Sequence, residues 1–266
     1  MKVQPVLSVQ GVKKSFGRVQ ALKGVSFEVY PGEVVGLLGD NGAGKSTLIK
    51  LIMGVYRPDE GQIIFRGKDI RFFSPNEIRM LGIEAVPQGG AVIQFMDIAR
   101  NFFLGREPQK RLFSFLKMLD LKKMKEEATK YIAEVGVQVR SPNERVSWLS
   151  GGERQAISIG RTLYFQSSLI LLDEPTLNLS VRETDKLLHA VAEMKRRGVA
   201  VIFVTHNVYH VYFIGDKFVL LNRGEMLGVY NKEEVTAEEL IEMIRTGKPK
   251  EAPNKARTNE IKRGET

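Results

Sequence analysis

Residues 33–47 read EVVGLLGDNGAGKST, and LIKLIMGV follows at 48–55. The run EVVGLL is apolar after its first residue, the pattern of a strand buried on both faces, while the apolar residues of 48–55 recur at helical spacing. The glycine-rich piece between them, residues 39–46, fits G-x-x-x-x-G-K-[ST], and Thr47 adds a second hydroxyl. A phosphate group calls for those residue types in that order. Glycines let the backbone N–H groups of the loop (Gly39, Asp40, Asn41, Gly42, Ala43 and Gly44) converge on phosphate oxygens; Lys45 supplies a point charge, and the Ser46 hydroxyl can ligate Mg²⁺. A plain glycine-rich turn is the alternative. With glycine at about 7% of residues, a chance match in a chain of this size is of order one in a hundred, and this one also falls between a strand and a helix.

Downstream, residues 169–175 read LILLDEP. Two carboxylates close an apolar strand, and α/β sheets place ligand groups at strand ends. Asp173 suits holding Mg²⁺ through its water shell, and Glu174 suits orienting or deprotonating an attacking water. Beside a phosphate loop, turn chemistry is the lesser explanation of the pair. Ser150, Gly151, Gly152 and Glu153 form S-x-x-E, a capping box that starts a helix running to Tyr164. The two glycines also leave backbone N–H groups open at a helix N-terminus, so cap and anion site stand as equal readings of that segment. Of three histidines, His206 directly follows the strand VAVIFVT. A lone histidine there is more often structural, yet a strand end in a nucleotide core is also where a phosphate contact belongs. His189 and His210 fall on helices without a role. Gln88 is unremarkable alone, and Phe16 and Trp148 read as packing.

The 266 residues suffice for one large domain or a core with one insertion. A composition 43% apolar and 27% charged excludes disordered, collagen-like and disulfide-stapled classes, and no cysteine is present. No apolar run approaches the 18 or so residues of a spanning helix, and the start MKVQPVLSVQGVKKSF lacks the apolar stretch of a secretory signal. The net charge is +9, and residues 248–266, with six Lys/Arg and three Glu, carry +3 of it; they are expected to form a disordered basic tail. The remaining excess is diffuse, with residues 117–125 (KMLDLKKMK) expected as a helix with a wet basic face. Alternating segments over 6–30 predict an antiparallel piece, while 89–147 shows helical periodicity without evident strands. From 152 onward helix and strand alternate strictly, closing with a strand pair over 217–230 and a capped helix at 236–245. The expectation is an α/β core split by a helical insertion.

Together these residues resemble the ATP-binding subunits of ABC transporters over residues 5–245. Six motifs stand in the family's order: Phe16 in the aromatic loop that stacks on adenine, GDNGAGKST, Gln88, the signature LSGGE at 149–153, LILLDEP, and His206. The resemblance implies a P-loop NTPase core with a mainly parallel sheet, an N-terminal antiparallel β subdomain and an inserted α-helical subdomain. The ABC ATPase domain would span 1–247, its core and antiparallel parts at 1–88 and 161–247, its helical part at about 89–160, with the tail at 248–266. ATP hydrolysis with Mg²⁺ is implied, with catalytic roles for Lys45, Gln88, Glu174 and His206 and metal contacts from Ser46, Gln88 and Asp173. Ser150, Gly151 and Gly152 would bind the γ-phosphate of ATP held by a second cassette, in a homodimer or heterodimer. Implied partners are membrane permease subunits and, indirectly, a substrate-binding protein; no nucleic acid is expected. The permease would dock through residues 91–104 (AVIQFMDIARNFFL), with Phe95, Met96 and Phe102 as exposed contacts.

Finer features, RFFSPNEIRMLGIEAVPQ, ARNFFLGREP and EPTLNLS, resemble the ATPases of bacterial ribose-type sugar importers in a single-cassette form, at the cytoplasmic face of the plasma membrane. Glu153 stands where glutamine is commonest, and Ser180 where many families have aspartate. Both positions keep an S-x-x-E box, Ser150 with Glu153 and Ser180 with Glu183, so both helix starts survive. An importer of amino acids or lipids is the alternative, and less readily a soluble nucleic-acid-associated ABC ATPase.

Overall fold

The computed structural model describes residues 3–88, 92–111, 113, 117–177 and 179–250; most of the expected basic tail, from 251 on, lies outside the described residues. Strands β1 (Leu7–Phe16) and β2 (Val19–Val29) form a hairpin, and β3 (Val34–Leu38) leads through the glycine loop into α1 (Lys45–Ile52). Then come β4 (Glu60–Phe65), β5 (Lys68–Asp69), α2 (Pro75–Leu81) and β6 (Ile83–Val86). The middle of the chain holds α3 (Ile98–Phe103), β7 (Gln109–Arg111), β8 (Lys117–Leu119), α4 (Leu121–Glu134) and α5 (Gly151–Tyr164). The remainder alternates β9 (Leu169–Asp173), α6 (Val181–Arg196), β10 (Ala200–Thr205), α7 (Val208–Ile214), β11 (Lys217–Asn222), β12 (Glu225–Asn231) and α8 (Ala237–Thr246).

The main sheet runs β12-β11-β3-β10-β9-β6, every neighbouring pair parallel except β11 with β12. All residues of β3 and β10 are buried. Such interior strands are covered on both faces, which is why their sequences are apolar throughout apart from the buried Thr205 that ends β10. Alternate side chains of β3 serve opposite cores. Val34 and Leu38 pack with residues such as Phe102, Ile157 and Val191 on the helical side. Val35 and Leu37 pack with Leu48 of α1 and with Val25 and Ile63 of the antiparallel sheet β2-β1-β4-β5. With layers on both faces, the carboxyl ends of the parallel strands are left to carry a site.

Among the described residues four α-helices begin at a capping box: Ser74, Ser150, Ser180 and Thr236 each accept the N–H of the glutamate three residues on, which reciprocates. The box at Ser74, with Pro75 in the first turn, starts α2, a helix the periodicity alone does not flag. The insertion departs from expectation in one place. β7 and β8 pair as a short antiparallel ribbon, so residues 117–119 of the expected basic helix are strand. Asp120 gives the reason: its side chain accepts the Lys123 N–H at 3.1 Å as an N-cap, which fixes the helix start at Leu121.

Aromatic placement needs three corrections. Trp148 is 72% exposed rather than packed, and Phe16 is 43% exposed, its ring edge-on to Tyr56 at 5.1 Å between centroids. Phe102 is fully buried, 5.0 Å from the Phe103 ring and 5.9 Å from Tyr164, so it is no exposed contact. Asp97 caps α3 and sets its phase, turning Ile98 and Phe102 inward on one face. Phe95, before the cap, is 84% exposed, and Met96 is half-buried. Helix α5 runs unbroken across the expected division at 160.

Candidate nucleotide site

The loop after β3 is held in shape by glycines where a side chain has no room. A Cβ on Gly39 would run into the carbonyl of Leu221, and one on Gly44 would lie 2.7 Å from the Ala21 carbonyl, with φ at 150° and 105°. The loop is thereby pressed between the β1–β2 hairpin and the β11–β12 turn, where the Gly224 N–H donates to the Ala43 carbonyl at 3.1 Å. Lys45 opens α1 and is 7% exposed. Its ammonium donates back to the Gly39 carbonyl at 2.7 Å and the Asp40 carbonyl at 3.1 Å. Burial lowers its pKa, and the carboxylates of Glu174, Asp173 and Asp40 oppose that fall.

The second half of the constellation comes from β9 and β10. These strands are adjacent and parallel, with Val204 opposite Asp173, so the residues just past each strand emerge at the same edge of the sheet. Burial raises the Asp173 pKa, the Glu174 carboxylate adds to the rise, and Lys45 and the Ser46 hydroxyl oppose it. A desolvated carboxylate sharing a hydrogen bond with a serine hydroxyl is an incomplete cation site, and the phosphate oxygens of a nucleotide would complete it. Among the described residues no cluster of three or more His, Cys, Asp or Glu is arranged to hold a metal by itself. Ser46 and Asp173 are the residues here that could hold Mg²⁺ if a nucleotide's phosphate oxygens supplied its other ligands.

Glu174 turns the chain sharply out of β9. Its φ is 47°, uncommon for a non-glycine, and its N–H is held by the Val204 carbonyl at 2.9 Å. His206, the residue after β10, is exposed and places Nδ1 3.0 Å from both Glu174 carboxylate oxygens. One cavity of about 440 Å³ gathers Asn41 to Thr47, Gln88, Asp173 and Glu174, and His206 joins them through Glu174. Val19, Gln20 and Ala21, just past Phe16, close the cavity on the side of the antiparallel sheet.

Ser150 and Gly152 are not in that cavity. They line a separate one of about 600 Å³ between α5, α6 and the end of α4. Sequence reasoning also passes over residues that the fold brings in. Arg223, at the β11–β12 turn, lines the phosphate-loop cavity. His210 on α7 places Nδ1 3.1 Å from the Thr176 hydroxyl and Nε2 3.2 Å from the Asn207 amide, tying α7 to the segment after Glu174. Neither carries a motif, so spacing alone offers no signal for them.

A mainly parallel sheet in which β3 feeds a glycine-rich phosphate loop and β9, one strand beyond the neighbouring β10, ends in two carboxylates, with a helical insertion that starts a capped helix at paired glycines, is that of an ATP-binding cassette. The ABC transporter family profile matches residues 22–177. The chain belongs to that family, and it is an ABC-type ATPase. It is 44% identical over 239 residues to the xylose/arabinose import ATP-binding protein XylG of Sulfolobus acidocaldarius, covering 90% of this chain and 93% of that protein. It is 38% identical to the fructose import ATP-binding protein FrcA of Rhizobium meliloti, covering 96% and 99%. Ribose import ATP-binding protein RbsA 1 of Streptomyces avermitilis is 37% identical over 84% of this chain, which spans 42% of that protein's length. Among solved structures, the ADP conformation of MJ1267, an ATP-binding cassette of an ABC transporter, superposes with a TM-score of 0.76 at 25% identity, covering 98% of this chain and all of that one.

Proposed function

We propose that this chain is the ATP-hydrolysing subunit of an importer for a monosaccharide, in which ATP draws two cassettes together face to face, hydrolysis parts them, and the motion is passed to a membrane permease. The observation that carries this reading is the division of the site. Within one chain the phosphate loop, Asp173 and Glu174 share one cavity while Ser150 and Gly152 line another, which supports a second cassette as the source of the signature segment for a bound γ-phosphate. Sugar import as the task draws its support from the sugars that XylG, FrcA and RbsA 1 are named for importing.

In the chemistry, the loop amides and Lys45 receive the β- and γ-phosphates. Mg²⁺ held by Ser46 and Asp173, with Gln88 beside them, would offset phosphate charge. Glu174 orients the attacking water and accepts its proton as the water oxygen bonds to the γ-phosphorus and ADP leaves. His206 keeps the Glu174 carboxylate in place and reaches toward the γ-phosphate, and Phe16, exposed at the end of β1, is free to stack on adenine.

The permease is assigned to the exposed Phe95 and to a cavity of about 440 Å³ whose wall joins Met53, Val55, Pro87 and Leu104 to the charged Arg79, Glu84 and Arg161. Pro87 precedes Gln88, which joins this wall to the phosphate-loop cavity. Among the described residues no helix is long and apolar enough to cross a membrane; attachment through the permease makes the subunit peripheral, at the cytoplasmic face, with a substrate-binding protein acting on the permease from the other side. The deciding test is uptake of labelled xylose, arabinose, fructose and ribose by cells in which the native gene is replaced by the Glu174→Gln form. Loss of uptake for one of these sugars supports the reading. Unchanged uptake of all four, with loss for an amino acid, would replace sugar by that substrate class.

A further inference from the structure

The cavity of about 600 Å³ between α5 and α6 has Ser150, Gly152, Gln155, Glu183 and Lys186 in its wall. Glu183 does two things there. Its Oε2 caps its own helix α6, accepting the Ser180 N–H at 2.9 Å and the Ser180 hydroxyl at 2.8 Å. Its Oε1 points the other way and accepts the Ser150 hydroxyl at 3.4 Å. The same oxygen fills the space that a Cβ on Gly152 would take, and such a Cβ would lie 2.6 Å from Glu183 Cδ. The Ser180 amide first, then the Ser180 hydroxyl and more weakly the Ser150 hydroxyl and the Gly152 amide, hold the Glu183 carboxyl below the usual carboxylate range, against its desolvation. The N-terminus of α5 is therefore already facing an anion that belongs to its own chain.

We propose that Glu183 is a stand-in for the γ-phosphate: in the separate chain its carboxylate engages the signature's donors, a partner's ATP has to displace it, and Glu183 thereby sets the ATP concentration at which two cassettes pair. This rests on the reading of Ser150 and Gly152 as the groups that receive the partner's γ-phosphate. Two anions cannot share those donors, since each would leave the other unpaired at close range. The cavity gives the displaced carboxylate somewhere to go. Gln155 is 5% exposed and its Nε2 has no hydrogen-bond partner, and Lys186 stands three residues along α6 from Glu183, on the same wall. The device makes the signature selective for a strong competitor, a γ-phosphate with its full charge, over a weak one such as ADP.

The test uses the full chain with Glu174→Gln to slow turnover, titrated with ATP while light scattering follows dimer formation. Adding Glu183→Gln keeps a carbonyl oxygen for the Ser180 N–H and removes the charge. Glu183→Asp keeps the charge but is one methylene too short to cap α6 and reach Ser150 at once. Both are expected to lower the ATP midpoint by roughly three- to ten-fold, because each dimer contains two such sites and their effects multiply. Ser180→Ala weakens the α6 cap without removing the carboxylate; it is expected to lower the melting temperature and not the midpoint. A midpoint unmoved by both Glu183 variants, in a parent that does dimerise with ATP, overturns the proposal alone. So does a midpoint that follows the melting temperature across the series, which would make Glu183 a cap and nothing more. No ATP-dependent dimer in the parent or in any variant overturns this proposal together with the reading of the signature beneath it. A dimer that appears only once Glu183 is replaced supports both.

Discussion

Glu174 holds a left-handed backbone conformation at φ 47°, which costs a non-glycine residue of order 1 kcal/mol. Strain kept at a strand end, beside a histidine 3.0 Å away and over a phosphate loop, is spent on aiming one carboxylate. Glu174→Gln preserves that shape but cannot accept a proton. Turnover in a phosphate-release assay is expected to fall by roughly 10²- to 10⁴-fold with ATP binding retained, and hydrolysis at the wild-type rate would remove Glu174 from the base role. Lys45→Ala is expected to act on binding instead, weakening ATP more than adenosine in equilibrium titrations; equal losses for both would deny Lys45 its phosphate contact. A pH effect belongs to His210. Burial holds its imidazole pKa below 6.5, the neighbouring His206 acts in the same direction, and Asp185 opposes them. A folded value below the unfolded one means that the stabilisation is present above 6.5 and is lost as pH falls through the folded value. The wild-type melting temperature is therefore expected to drop between about pH 7.5 and about pH 5.5 by more than that of His210→Gln. An equal drop in the two proteins would show that the His210 contacts to Thr176 and Asn207 contribute nothing pH-dependent.

Among the elements, α3 shows what helix phase decides. The segment 92–104 is apolar enough to be read as core or as contact surface, and the Asp97 cap divides it. Phe102 lies beneath an aromatic cluster with Phe103 and Tyr164, whereas Phe95 stands in solvent at 84% exposure. Phe102→Ala is expected to cost about 3 to 5 kcal/mol, read as a lowered urea midpoint, because the space it vacates cannot close. Phe95→Ser is expected to leave urea stability and free ATPase unchanged while reducing retention on permease-containing membranes. Retention equal to wild type would place the contact elsewhere, and the walls of the cavity at Met53 and Val55 would be next to substitute. The strand β8 makes the complementary point: KML at 117–119 has no alternation that marks a strand, and its pairing with 109–111 is a tertiary choice.

For the whole molecule, the phosphate loop and the signature segment line different cavities of the one chain, and the proposed pairing of two cassettes is what would bring them together. The Glu174→Gln protein with ATP is expected to run as a pair of cassettes in size-exclusion chromatography with light scattering and as a single chain with ADP. A single chain at every ATP concentration would overturn the face-to-face pairing of two copies of this chain.

The sequence by itself determined the order of the core and the placing of the glycine loop and the two carboxylates at strand ends. Gly39, Gly44, Lys45, Asp173 and Glu174 were legible because backbone sterics, phosphate geometry and strand-end placement restrict which residue types fit at those spacings, and the short β-branched apolar runs at 34–38 and 200–204, with turn residues beside them, read as interior strands. The capping boxes were equally local, each closed within four residues. What tertiary structure alone decided is whatever depends on contacts between distant segments: that Phe102 faces inward and Phe95 outward, that Trp148 and Phe16 are exposed, that residues 117–119 pair as strand, that His210 reaches Thr176 and that Glu183 reaches across to Ser150. A spacing rule sees neighbours along the chain. Ser150 and Glu183 are 33 residues apart, and only the packing of α5 against α6 makes them touch.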